Sequence, residues 1–277
     1  MIRAKALEVD ATSEEAELRE YLGVSYDYRR LQRYEEQLER EYAACDEEGR
    51  FYRTSVGYLY DLTAFAMTRT KLPYLRELTR LTPPPSRILD YGCGIGSDGL
   101  VLLEAGYRVE FADFDNPSTR YLRWRLRRRG FEAPIHDLDQ HVPAGFDAAY
   151  AFDVIEHAPD PFALLGEMEL RARLVLVNLL APAPDDSELH HELPIRDLLL
   201  HAADRGLVSY RIHHGRSHLV AYRPDREGWW SRVGGRARLA SGILRELLRG
   251  RLARTYSASS PVPASRSSGG SDPAGPK

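Results

Sequence analysis

Apolar positions along this chain change period three times, and each change predicts a different kind of element. From Ser13 to Leu22 and from about Tyr26 to Ala44 they recur at helical spacing, with Leu31, Tyr34 and Leu38 on one face. Ser13 is read as the cap of the first helix and Gly49 as the break after the second. An aromatic stretch from Phe51 to Phe65 follows, then a helical segment from Lys71 to Leu81. Pro83 to Pro85 cannot belong to a central strand. Beyond them short apolar runs alternate with helical segments. Strands are predicted at Ile88–Asp90, Tyr107–Asp113, Ala133–Ile135, Phe146–Phe152 and Leu174–Leu179. The intervening helices run over 97–103, 117–130, 161–170 and 195–205. Such alternation implies an α/β architecture around a parallel sheet. Leu207–His213 and Ser217–Tyr222, joined by His214-Gly215-Arg216, read as a hairpin. After Pro224 the pattern turns basic and amphipathic, with Leu239, Ile243, Leu244, Leu247, Leu248 and Leu252 on a stripe within 236–254.

Composition narrows the class without changing that outline. The 277 residues are 43% hydrophobic and 29% charged, as in an ordinary globular core. A net charge of −3 offers no global attraction for nucleic acid. The arginines between Arg120 and Arg129 surround their helix and are read as a solvated face, not a nucleic-acid patch. Two cysteines, Cys45 and Cys93, provide no disulfide framework, so a reducing compartment is expected. Neither a signal core nor a membrane-spanning run is seen, and a cytoplasmic location is expected.

The candidate chemistry centres on Asp90-Tyr91-Gly92-Cys93-Gly94-Ile95-Gly96, where a strand ends and a helix begins. Gly92, Gly94 and Gly96 let the backbone turn sharply and approach a ligand closely. Ser97 and Asp98 are read as caps of the helix that follows. The stretch also satisfies the dinucleotide pattern G-x-G-x-x-G, a weak signal by itself. Acidic Asp90 and Asp98 argue against a pyrophosphate and suit an ammonium or sulfonium. The phrase resembles the first motif of class I S-adenosylmethionine (SAM)-dependent methyltransferases. Asp153-Val154-Ile155-Glu156-His157 likewise resembles the phrase after the fourth strand in many small-molecule methyltransferases.

The resemblance implies a Rossmann-like seven-stranded, mostly parallel sheet with an antiparallel last strand. An N-terminal helical lid or packing region (1–82) would precede the SAM-binding domain (83–223). A basic amphipathic extension (224–255) and a disordered tail (256–277) would follow. Asp113, about twenty residues past the glycines, is the favoured ribose ligand over Asp115. Asp137 matches the position that accepts the adenine amino group, and Asp153 is counted with the cofactor side. His157, His190 and His191 are candidate bases for a hydroxyl acceptor. His190, His191 and Glu192 lack the spacing of a metal motif, so no metal is expected. His213, His214 and His218 are read as turn and surface residues. The reading is methyl transfer from SAM to a small metabolite or natural-product-like acceptor, on oxygen or nitrogen. A peptide or protein methyltransferase, a non-catalytic SAM binder and an NAD-dependent oxidoreductase are the alternatives. The C-terminal helix would dock in cis, on a partner, or on an anionic membrane surface.

Overall fold

The computed structural model describes residues 7–45, 48–182, 190–224 and 229–249. The segment 183–189, the end of the expected basic extension at 250–255 and the expected tail at 256–277 lie outside the described residues.

A seven-stranded sheet carries the molecule: β1 Arg87–Tyr91, β2 Arg108–Asp113, β3 Ile135–Asp137, β4 Ala148–Ala151, β5 Val175–Leu180, β6 Leu207–His213 and β7 Ser217–Tyr222. Its order is β3-β2-β1-β4-β5-β7-β6. The first five strands run parallel, and β7 is antiparallel to both β5 and β6. The predicted hairpin of β6 and β7 has the expected limits. Strand order reverses between β1 and β4, which opens a crevice at their carboxyl ends.

Eleven α-helices are described: α1 Ala11–Leu22, α2 Tyr28–Gln32, α3 Tyr34–Ala43, α4 Glu48–Thr54, α5 Gly57–Met67, α6 Leu72–Leu81, α7 Ser97–Glu104, α8 Pro117–Arg129, α9 Pro161–Glu169, α10 Ile195–Asp204 and α11 Trp229–Leu248. Side chains alternate across the sheet. Leu89, Ala149, Val175 and Val177 meet α9 and α10 on one face. Ile88, Val109, Phe111, Tyr150 and Leu176 meet α6, α7 and α8 on the other.

Several expectations need correction. Asp10, not Ser13, caps α1: its carboxylate accepts from Thr12 N–H, and the Ser13 hydroxyl donates to it. The helix expected over 26–44 is broken at Arg33 (φ −121°, ψ 37°). The break lets Leu31 join Leu18 and Tyr60 while Leu38 joins Phe51, two separate apolar clusters. Gly49, expected as a breaker, lies within α4. β3 starts two residues later than expected because its register to β2 begins at Phe111↔Ile135. β4 is confined to Ala148–Ala151, with Phe146 making only an isolated bridge to Ala172. α11 begins at Trp229, well before Arg236, and does dock in cis. Gly235 and Gly242 permit this, since a Cβ there would fall 1.9 Å from Ala203 O and 2.7 Å from Tyr210 Cδ1.

The arginines of α8 are not simply a solvated face. Arg125 is fully buried. Its guanidinium donates to Glu14, to Glu17 Oε2 (2.8 Å), to Ser97 Oγ (2.8 Å) and to Ile95 O (2.9 Å). Arg129 adds a bond to Glu17 Oε1 at 2.7 Å. This network pins α1 to α8 and to the start of α7.

Candidate active site

A cavity of about 380 Å³ opens at the carboxyl ends of β1, β2 and β4, within the range of small-ligand sites. The turn after β1 forms its floor. Gly92, Gly94 and Gly96 have φ of +71°, +52° and +71°, where side chains are strained. A Cβ on Gly92 would meet Val154 at 2.6 Å, and one on Gly96 would meet Leu122 at 2.4 Å. Gly96 itself is the N-cap of α7, and no side chain caps that helix. Ser97 and Asp98, expected as caps, are drawn elsewhere: the Ser97 hydroxyl donates to Glu14 Oε2 (2.7 Å), and Asp98 faces Lys71.

Asp113, at the tip of β2, lines the cavity. Its carboxylate accepts from Gly94 N–H (2.7 Å) and Phe114 N–H (2.7 Å). Burial pushes its pKa up against those bonds. Asp115 stands outside, 3.3 Å from Arg123. Asp137 does not line the cavity, because its carboxylate caps the turn after β3, accepting from Asp139 N–H at 3.0 Å. Asp90 is buried behind the glycine turn and also does not line the cavity. Burial first, then the nearby Asp98 charge, pushes its pKa up to about 8.

The opposite wall is a cluster of charge. Asp153 sits at φ +54°, held by Asn178: Asp153 N–H donates to Asn178 Oδ1 (2.8 Å), and Asn178 Nδ2 donates to Asp153 Oδ1 (2.7 Å). Asn178 also donates to Ser217 Oγ (3.3 Å), which accepts from Tyr74 OH (2.8 Å). The other oxygen of Asp153, Oδ2, is buried and accepts no hydrogen bond from any described residue. Lys71 Nζ lies 3.6 Å from it and 3.7 Å from Asp98 Oδ2, and donates to Phe152 O (3.0 Å). Burial works to lower the Lys71 pKa, but Asp98 and Asp153 outweigh it and hold the ammonium charged. Sequence reading missed Lys71, which carries no local signal. It also missed Asn178, although a lone amide inside the apolar run of β5 was a readable one.

Helices α4 and α5 supply the roof through Tyr52, Tyr58, Leu62 and Phe65. His157 lines the cavity, with Nδ1 3.1 Å from Tyr52 OH. The His190 ring lies 4.9 Å from that of His157. His191 is exposed and is tied by its backbone N–H to Glu156 O (2.7 Å). His213 and His218 are half-buried, not surface residues: His213 packs on Tyr74, and His218 Nδ1 lies 2.8 Å from Tyr210 OH. Glu156 is buried, and burial together with the Asp153 charge raises its pKa. Glu156, His157 and His190 bring one ligand atom each within 4.8 Å of one another, a grouping the sequence reading did not anticipate.

A family model described as a methyltransferase domain matches residues 65–205, just over half of the chain. The chain belongs to the methyltransferase domain family. Its sheet is the Rossmann-like, mostly parallel seven-stranded sheet expected of class I SAM-dependent methyltransferases. Among curated relatives, a ubiquinone biosynthesis O-methyltransferase of Xanthomonas campestris pv. campestris (strain B100) is 27% identical over 105 residues, 36% of this chain and 43% of that protein. Its namesake from Xylella fastidiosa (strain M23) is 30% identical over 105 residues, 36% of this chain and 42% of that protein. These matches therefore span under half of the relatives' length. Among solved structures, an O-methyltransferase family protein from Burkholderia thailandensis shares the fold with a TM-score of 0.51 at 15% identity, covering 73% of each chain. No helix among the described residues of the methyltransferase is long and apolar enough to cross a membrane.

Proposed function

We propose that this methyltransferase transfers the methyl group of SAM to a hydroxyl of a small, largely apolar acceptor. The observation that carries the proposal is one cavity that joins a bare glycine floor, an acidic wall and an aromatic roof. The floor and the wall facing it fit the cofactor: the glycines of the floor leave no side chain in the way, and Asp153 Oδ2 on the wall accepts no hydrogen bond from a described residue. Asp113 would take the ribose hydroxyls while keeping its bonds to the glycine turn. Asp153 and Asp98 would face the methionine ammonium, and Lys71 its carboxylate.

Bound SAM supplies an activated methyl on a sulfonium. Tyr52, Tyr58 and Phe65 would exclude water and stack on the acceptor, which lowers the entropic part of the barrier. His157, oriented by Tyr52, would take the hydroxyl proton as the new carbon–oxygen bond forms. The names of the curated relatives favour oxygen as the methylated atom.

Label transfer tests this reading. With methyl-labelled SAM and a cell extract, label should enter the low-mass organic-soluble fraction. Label confined to macromolecules would instead support the peptide or protein alternative, and SAM binding without any transfer would support a non-catalytic binder. A second reading rests on the Glu156, His157 and His190 grouping, where a divalent ion would bind the acceptor oxygen and acidify it. Turnover that a chelator abolishes and added ion restores would favour that reading over His157 acting as base.

A further inference from the structure

The two long faces of α11 differ sharply. Its inner face, Gly235, Leu239, Gly242 and Glu246, is buried against α10 and β6. The outer face carries Trp229, Trp230, Val233, Leu244, Leu247 and Leu248, each between 45% and 84% exposed. At 100° per residue these six fall within one arc of about 100°. Exposed Arg236 and then Arg232 follow one edge of that arc, and exposed Arg245 follows the other; Arg238 and Arg249 lie further round toward the inner face, where Arg238 donates to Leu207 O (3.1 Å). The single acid of the helix, Glu246, is fully buried on the inner side. Arg236 pairs with Asp204, on which Arg232 also acts at longer range, and Arg249 pairs with Glu246, while Arg245 forms no ion pair with a described residue.

We infer that this outer face is a docking surface for an anionic lipid membrane, with the helix lying in the plane of the interface. Charge complementarity selects that occupant. The protein as a whole is weakly acidic, at −3, yet every exposed charge of this helix is an arginine, and Arg245 beside the apolar centre has no ion-pair partner among the described residues. Paired tryptophans at one end suit the boundary between headgroups and acyl chains, and flanking arginines can lay their stems on the apolar stripe while reaching phosphates. A second copy of the chain is a poor occupant, because a two-fold contact across the stripe would set arginine edges against each other. The close approach of Gly235 and Gly242 to the domain fixes which face is offered to the membrane.

Co-sedimentation of the full chain with vesicles tests the inference. It should pellet with phosphatidylcholine vesicles containing about one-third phosphatidylglycerol, weakly with phosphatidylcholine alone, and less as salt rises. The double variant Leu244→Glu/Leu248→Glu should lose vesicle binding, with its circular dichroism and thermal midpoint kept because both sites are exposed. Arg232→Ala and Arg245→Ala should each lower partitioning about fivefold. The inference is overturned if the full chain ignores anionic vesicles at low salt, or binds neutral and anionic vesicles equally. It is overturned too if the chain is a dimer that Leu248→Glu splits.

Discussion

Arg125, fully buried, and Lys71, half-buried on a cavity wall, are both cations held among carboxylates, and their surroundings differ in one respect. Around Arg125 every charge has its counterpart: Glu14 and Glu17 are met by Arg125 and Arg129, and Ser97 and a backbone carbonyl complete the bonding. Around Lys71 one ammonium faces both Asp98 and Asp153, and an oxygen of Asp153 has no donor among the described residues. A closed network has nothing left to offer a ligand and serves to hold elements together. An incomplete one, placed on a cavity wall, has negative charge to spare for a cationic guest.

The largest expected effect comes from breaking the closed network. Arg125→Ala leaves Glu14 and Glu17 buried without their main partner, and unfolding stability should fall by about 3–5 kcal/mol in urea denaturation. A loss no greater than that of an ordinary surface substitution would place the network outside the structural role drawn here. Next comes the floor of the cavity. Asp113→Ala should weaken SAM binding by on the order of 1–3 kcal/mol in calorimetric titration, the scale for charge-assisted hydrogen bonds. Unchanged affinity would sink the ribose assignment.

Lys71→Met sharpens the contrast further. SAM affinity should drop roughly tenfold, whereas 5′-methylthioadenosine, which lacks the amino-acid end, should bind as before. Equal losses for both ligands would make Lys71 a packing residue. The last expected effect is a slope with pH, read one pH unit at a time. Asp90 is raised to about 8 from an ordinary value of 3.8, so the folded state keeps a proton that the unfolded chain releases. Asp90 should therefore contribute a fall in stability as pH rises from about 4 to about 8, by at most about 1.4 kcal/mol per pH unit. Asp90→Asn should flatten part of that slope, with Asp98 and Glu156, also raised, sustaining the remainder. Identical slopes for the two proteins would contradict a protonated Asp90.

What was legible in the sequence is what local chemistry decides. Glycines at alternate positions after β1, the Asn116-Pro117 start of α8 and the His214-Gly215 hairpin each follow from backbone preferences of adjacent residues. Arg125 was illegible because its partners lie more than a hundred positions earlier, and an arginine-rich helix conceals which side faces inward. Ser97 looked like a cap for the same reason: the sequence does not show that Glu14 will claim its hydroxyl. Asp137 matched a motif position by spacing, but the turn after β3 occupies its carboxylate.

The Arg125 network also bears on how this protein can be taken apart. A fragment starting at Pro83 would retain every strand and the whole glycine turn, yet its interior would hold a guanidinium stripped of both carboxylates. Trimming the chain to its recognisable catalytic half should thus yield insoluble or misfolded material, and supplying 7–45 as a separate peptide would be the direct route to rescue.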